Sequence, residues 1–402
     1  MEYVTLGNYC SITSSKRIFA EQYVEKGVPF YRSKEIIEKN NGQEISEPLY
    51  IEPEVYETIK KKFGVPQKGD LLLTSVGTVG IPYIVKDEQF YFKDGNLTWM
   101  RNFSKELSSK YLYYWISSKF GKDSLVNRCI GSSQAALTID ILKNYKLFIP
   151  KRDIQDKVVS ILSAYDNLIE NNNKRIKILE QMAENLYKEW FARFRFPGHE
   201  TTSLENGIPR GWSEKRLSDL IDVDPLLPVK KGIQVKSIPM EALSTDSMIV
   251  DENCIQLVDN PSGSHSQNGD TLVARITPCL ENGKTGFVQC LDDGETATGS
   301  TEFIVLRSKE LSPYYVYCFA RSQYFRQTAI LSMNGADGRQ RVNVPKIKSM
   351  KIAKPSNEII KRFDSIAKPI FEEIYLLTKQ NKNNIKQRDL LLPRLMNGKL
   401  AV

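Results

Sequence analysis

The 402-residue sequence predicts an α/β (α+β) fold. Two similar domains are separated by a pair of long antiparallel helices that form a coiled coil, and the halves are pseudo-twofold symmetric. Three observations predict it. The chain is too long for one hydrophobic core. Three stretches recur in the same order about two hundred residues on. Each copy is then followed by a heptad-spaced apolar seam.

The repeats run in register. "KGDLLLTSVG" (68–77) is echoed by "NGDTLVARIT" (268–277), and "SKELSSKYLYYW" (104–115) by "SKELSPYYVYCF" (308–319). "LTIDILKNYKLFIP" (137–150) is echoed by "VNVPKIKSMKIAKP" (342–355). A weaker pair opens each half, "VTLGNY" (4–9) against "EKRLSDL" (214–220). A period this long excludes a solenoid and implies tandem duplication of a domain with its trailing segment.

Within each copy, "GDLLLTSV" and "GDTLVARI" leave a turn and run apolar with β-branched residues, the pattern of a strand. "YFKDGNLTWM" and "GSTEFIVL" read as strands entered through Gly turns. "SSKYLYYWISSKF" and "LSPYYVYCFARSQYF" read as helices, the second with Ser312 before Pro313 as an N-cap and first-turn pair. Their aromatic stripes read as core.

From Ile154 the rhythm changes. Ile154, Val158, Ile161, Tyr165, Leu168, Asn172, Arg175, Leu179, Met182 and Leu186 step by fours and threes, the seam of helices packed at a shallow angle. Residues 152–191 as one helix would span roughly 60 Å. Asn172 on that seam reads either as a buried register-fixing amide or as a solvated break. Trp190 and Phe191 read as core between the helices or as part of an exposed partner-facing surface. The second copy repeats the rhythm through Ile359, Phe363, Ile366, Ile370, Ile374 and Leu377, and Pro369 predicts a kink. The expected boundaries are 1–151 and 197–355 for the domains, and 152–196 and 356–402 for the helical regions.

Charge and composition narrow the function. The chain is 41% apolar and 26% charged, with a formal net charge of +8. Those values fit a folded globular protein that meets a polyanion. Six cysteines form no CxxC pair, and His199 and His265 are the only histidines, which argues against a zinc site and for free thiols in a reducing cytoplasm. "MEYVTLGNYC" lacks the features of a signal peptide, and no apolar run is long enough to cross a membrane. Two copies of a basic domain at fixed separation have the plan of a dimeric DNA reader.

Four kinds of paired segment offer polar groups to DNA. The first follows the Gly-Asp strand, with Ser75 and Thr78 in one copy and Arg275, Thr277 and Lys284 in the other. The second is a polar loop before the last strand, with Ser132, Ser133 and Gln134, then Arg339, Gln340 and Arg341. Gln matches adenine and Arg matches guanine in bidentate geometry. The third holds Arg32 and Lys34, paired with Lys236. The fourth is the turn bearing Lys93 and Asn96. The stretch 339–354, with six basic residues and no acid, combines the second segment with lysines suited to phosphates. For any one of these residues a solvated turn is the alternative.

Several motifs in order resemble the specificity subunit of type I restriction–modification systems over essentially the whole length. They are "GIPRGW" (207–212), "GSTEFIVL" (299–306), "VSILSAYDNLIENNNKRIKILEQMAENLYKEWF" (159–191) and "LLLPRLMNGKL" (390–400). The resemblance implies two target recognition domains, each reading half of a bipartite asymmetric site on double-stranded DNA, with the helices setting the spacing. It implies two methylation subunits as partners, restriction subunits in the full complex, and no catalytic residue in this chain. S-adenosylmethionine, Mg and ATP are then expected only in partner subunits, and no cofactor or metal here. Three other readings stay open: a two-domain scaffold whose basic surface is incidental, the recognition subunit of a related methylation system, and a self-contained adenine methyltransferase. Against the last, "DPLLPV" (224–229) lacks the second proline and the aromatic of an adenine-gripping motif, and no GxGxxG follows a strand.

Overall fold

Two turns of the same chemistry start the central strand of each half. Gly69 and Gly269 both have φ +91°, a conformation glycine adopts freely. The aspartate that follows is buried in both. Asp70 accepts the backbone N–H of Gln67 at 2.9 Å and the indole N–H of Trp99 at 2.8 Å. Asp270 accepts the N–H of Gln267 at 2.8 Å and two bonds from the Arg307 guanidinium at 2.8 and 2.6 Å. Burying a carboxylate is costly unless it is bonded, so this one residue closes the turn and ties it to a neighbouring strand.

The computed structural model describes residues 2–42, 45–130, 135–228, 234–335, 340–398 and 400. The chain divides into two units. The first comprises Met1–Ile169 with Asn383–Val402, and the second Glu170–Lys382.

The first unit holds two four-stranded sheets and a two-stranded ribbon. Strand Leu71–Thr74 pairs antiparallel with Leu97–Arg101 and with Pro82–Ile84, and Ser11–Thr13 flanks Leu97–Arg101. In the other sheet Val28–Tyr31 runs parallel to Tyr91–Phe92 and antiparallel to Leu49–Ile51, with Tyr23–Val24 outside it. Glu2–Thr5 closes against Lys146–Ile149. Helices Ser109–Ser117 and Lys119–Val126 follow, their N-caps Ser108 and Ser118 accepting from Tyr111 and Gly121 backbone N–H groups.

The second unit repeats that plan except at one edge, where Ser264–Ser266 pairs with Ala297–Gly299 while Tyr23–Val24 of the first unit pairs with Leu49–Ile51. Thr271–Ala274 pairs with Phe303–Ser308 and Thr285–Phe287, and Ile221–Val223 flanks Phe303–Ser308. Val235–Ile238 runs parallel to Ala297–Gly299 and antiparallel to Gln256–Val258. Ser213–Arg216 closes against Lys351–Lys354. Helices Pro313–Arg321 and Gln323–Leu331 are capped by Ser312 and Ser322. The weakest sequence echo holds too: the N–H of Leu6 donates to Tyr145 C=O at 2.9 Å, and that of Leu217 to Met350 C=O at 2.8 Å.

The long helices are Arg152–Tyr187, continued by a π-turn at Lys188–Ala192, and Asn357–Met396. They pair antiparallel within each unit. In the first, Val158 and Leu162 share a core with Leu395, while Tyr165 Oη donates to Gln387 Oε1 at 3.2 Å. In the second, Asn172 Nδ2 donates to Asn381 Oδ1 at 3.0 Å and Arg175 binds Glu373 at 2.6 Å. Asn172 is therefore a buried amide. Asn381 is buried as well and donates to Asn173 Oδ1 at 2.7 Å, so Asn172, Asn173 and Asn381 form a hydrogen-bonded polar layer in the seam.

One expectation about the helices is corrected. Ile161, Leu168, Met182 and Ile366 lie exposed, and the buried seam runs through Val158, Leu162, Asn172, Ile176, Ala183 and Tyr187. The sequence carries two interleaved apolar frames, and packing selects the one that adds Leu162 and Ala183. Pro369 lies inside the unbroken helix Asn357–Met396. Trp190 and Phe191 are buried and lie edge-on to Phe363, at 6.2 and 5.0 Å between ring centroids.

Candidate nucleic-acid interface

In the first unit three of the predicted polar segments meet at one junction, in the second two of them meet with Glu302, and the backbone bonds are the same in both. In the first unit Ser75 N–H donates to Asn96 C=O at 2.8 Å, and Leu137 N–H donates to Ser75 C=O at 2.8 Å. Ala136 and Ile130 exchange two bonds of 3.0 Å, and Ala136 bridges to Val76. In the second unit Arg275 N–H donates to Glu302 C=O at 2.9 Å, and Val342 N–H to Arg275 C=O at 2.9 Å. Arg341 and Asn334 exchange two bonds of 2.9 Å, and Arg341 bridges to Ile276. The third segment joins through a side chain in the first unit, where Ser33 Oγ donates to Asn96 C=O at 3.3 Å. The shared bonds put Ser75, Asn96 and Ala136 in the places of Arg275, Glu302 and Arg341.

The predicted residues divide by what their side chains do. Ser75, expected to present a donor, is corrected: it is buried, and its hydroxyl bonds Leu73 C=O at 3.1 Å and the Thr98 hydroxyl at 2.6 Å. Arg32 forms two-pronged bonds to the fully buried Glu35 at 2.5–3.2 Å and so fixes the start of helix Ser33–Asn40. Those bonds raise the guanidinium pKa. Lys34 pairs with Glu47 at 3.1 Å. Lys236 sits between Asp292 and Glu295, at 3.3 and 2.8 Å, which raises its pKa chiefly through Glu295. Lys284 Nζ donates to Met240 C=O at 3.1 Å.

Others remain available. Thr78 is exposed, and Lys93 and Asn96 are half-buried. Gln340 is half-buried, its C=O accepting from Thr277 N–H at 3.2 Å. Arg275 Nε and Thr277 Oγ1 are buried with no hydrogen-bond partner among the described residues. Arg341 is half-exposed and doubly bonded to Glu302 at 2.6–2.9 Å, which holds the Glu302 carboxyl below its usual range. Ser132, Ser133, Gln134 and Arg339 lie outside the described residues.

Three residues were not picked out from sequence. Glu302 sits where the first copy has Asn96. Lys122 and Arg326, at matching places on the second short helix of each unit, lie against the loop after the Gly-Asp strand. A Cβ on Gly80 would come within 3.4 Å of Lys122 Cγ, and one on Gly283 within 3.0 Å of Arg326 Nη1. Aligning the two copies is the signal that finds this basic pair.

All six cysteines are free thiols. Among the described residues no group of three His, Cys, Asp or Glu side chains is placed to hold a metal ion. No described helix is long and apolar enough to cross a membrane.

Residues 1–181 match the family described as the type I restriction modification DNA specificity domain. The chain is 27% identical over 364 residues to the type I restriction enzyme MjaIX specificity subunit of Methanocaldococcus jannaschii, covering 83% of this chain and 78% of the relative. It is 22% identical to the HindI specificity subunit of Haemophilus influenzae, covering 66% and 71%. The type I restriction–modification S subunit from M. genitalium shares the fold, with a TM-score of 0.59 at 13% identity over 98% of this chain and 95% of that one.

Proposed function

We propose that this chain, a member of the type I restriction–modification specificity-subunit family, reads a bipartite, asymmetric target on double-stranded DNA, one half with each domain. Residues 1–151 and 197–355 act as the recognition domains. The helical regions 152–196 and 356–402 set the unread spacing and recruit two methylation subunits, with restriction subunits completing the complex. The chain itself performs no chemistry. S-adenosylmethionine, Mg and ATP serve the partners, and the complex works in the cytoplasm.

The observation that carries this reading is the repeated junction. One backbone scaffold presents different side chains in its two copies, as an asymmetric target requires. The scaffold positions, and the variable side chains specify. Thr78, Lys93, Asn96, Lys122, Arg275, Thr277, Arg326, Gln340 and Arg341 are the groups it offers. Lys34, Lys236 and Lys284, with Arg32, would have to exchange a carboxylate or carbonyl for phosphate.

Sequencing methylated adenines in the host genome, with and without the gene, tests it. Loss of methylation at a two-part motif on deletion is the expected result. An unchanged pattern, together with DNA binding that is salt-dependent but blind to sequence, would overturn it.

A further inference from the structure

The three variable places of the junction differ in charge. Ser75, Asn96 and Ala136 are neutral, whereas Arg275, Glu302 and Arg341 are charged. The way Glu302 holds Arg341 is specific. Glu302 occupies the Nε–Nη2 side of the guanidinium, with Nε at 2.9 Å from both oxygens and Nη2 at 2.6 Å from Oε1. The Nη1 atom has no hydrogen-bond partner among the described residues. Arg341 is itself fixed at the backbone, by its paired bonds to Asn334 and its bridge to Ile276. Its remaining edge, Nη1 with the outer hydrogen of Nη2, is half-exposed and carries two parallel N–H groups. Two parallel donors at that spacing match O6 and N7 of guanine in the major groove.

The geometry points to Glu302 as a positioning residue that locks Arg341 to demand a guanine in the half-site read by the second domain, with no counterpart demand in the first. This deepens the recognition reading and rests on it. An unpaired Arg on a loop would reach phosphates and several bases alike. A carboxylate clamp removes that freedom before DNA arrives, so specificity costs less ordering on binding. In the first domain Ala136 has no group to present at that place, and Asn96 has no arginine to hold.

The test selects duplexes randomised across the target with the complex assembled from its methylation subunits, and sequences the bound fraction. The wild-type complex is expected to require a guanine at one place in the second half. Arg341→Ala removes both parallel N–H groups and should lose roughly 5- to 150-fold in discrimination at that base. Glu302→Gln should relax the same base and leave every position of the first half unchanged. A merely structural Glu302 would weaken binding to all sequences together. The proposal is overturned if Arg341→Ala keeps the guanine preference, or if Glu302→Gln binds with an unaltered profile. A wild-type complex with no base preference in either half instead removes the recognition reading beneath it.

Discussion

The two units are fastened to their segments of the long helices by opposite chemistries. In the first unit Tyr114 donates its hydroxyl proton to Asp166 at 2.5 Å, and Asp166 also accepts from Arg388 at 2.8 Å. Gln155, fully buried, accepts from Ser108 N–H and donates to the carbonyls of Glu106 and Pro150 at 2.7–2.9 Å. The repeat places Cys318, Phe371, Ala183 and Ile360 at the corresponding positions of the second unit. There Phe371 packs edge-on against Phe287, Tyr314 and Tyr317 at 5.0–5.6 Å, and Cys318 Sγ reaches only Ala183 C=O. Trp190, Phe191, Tyr187 and Phe363 extend the aromatic cluster. The difference teaches that duplication preserved the backbone plan and left the joint free to change. A polar joint is directional and sensitive to the removal of one member, whereas an aromatic joint holds by area and shape.

The largest effect should come from the aromatic side. Phe363→Ala removes a fully buried ring and should cost about 3–5 kcal/mol. Hydrogen exchange should show the loss in the second unit with the first protected as before. Equal loss in both would break the distinction between the joints. Next is Asp166→Ala, which leaves the Tyr114 hydroxyl and the Arg388 guanidinium without their shared acceptor. It should cost about 1–3 kcal/mol, seen by denaturant unfolding and confined to the first unit. Asn172→Ala takes one amide from the polar layer and should cost about 1 kcal/mol. Replacing Asn172 and Asn381 together by Leu should recover it, because the amide that loses its partner, Asn173, is exposed to solvent.

The smallest effect is a pH dependence. Burial raises the Glu180 carboxyl pKa, against bonds accepted from Met248 N–H at 2.7 Å and the Ser247 hydroxyl at 2.8 Å. A raised acid favours folding while it is protonated, and that contribution fades as pH climbs from the ordinary carboxylate range through the raised folded value. Glu180→Gln should therefore raise the unfolding temperature of the second unit by about 1–2 °C at neutral pH. The gain should vanish in acid. A gain that is constant across pH would mean that ionisation of Glu180 is not the source.

Much of this was legible in the sequence. The tandem repeat, the paired strands, the Ser-capped helices and both long helices follow from periodicity and caps. The seam's frame was not, because Ile161 and Leu162, or Met182 and Ala183, are adjacent, and apolarity alone does not rank adjacent frames. Ser75 looked like a free donor because its neighbours are turn residues, while its hydroxyl is captured by Thr98 from a strand 23 residues on. Glu302 carried no signal of its own, since an acid in a basic loop reads as a contrary charge until its hydrogen bonds to Arg341 are seen. Tyr114 showed its apolar ring in the sequence and hid the polar use of its hydroxyl.

The interlocked amides of Asn172, Asn173 and Asn381 carry a mechanical consequence. Hydrocarbon knobs tolerate a slip of one helical turn, because one methyl-lined hole resembles the next. Amides do not, since an Asn172 displaced by one turn would face Leu377 or Ile385 with its hydrogens unmatched. The two rods are thereby denied the sliding motion that an all-leucine seam would permit, and tension along one must be borne by the other at this notch.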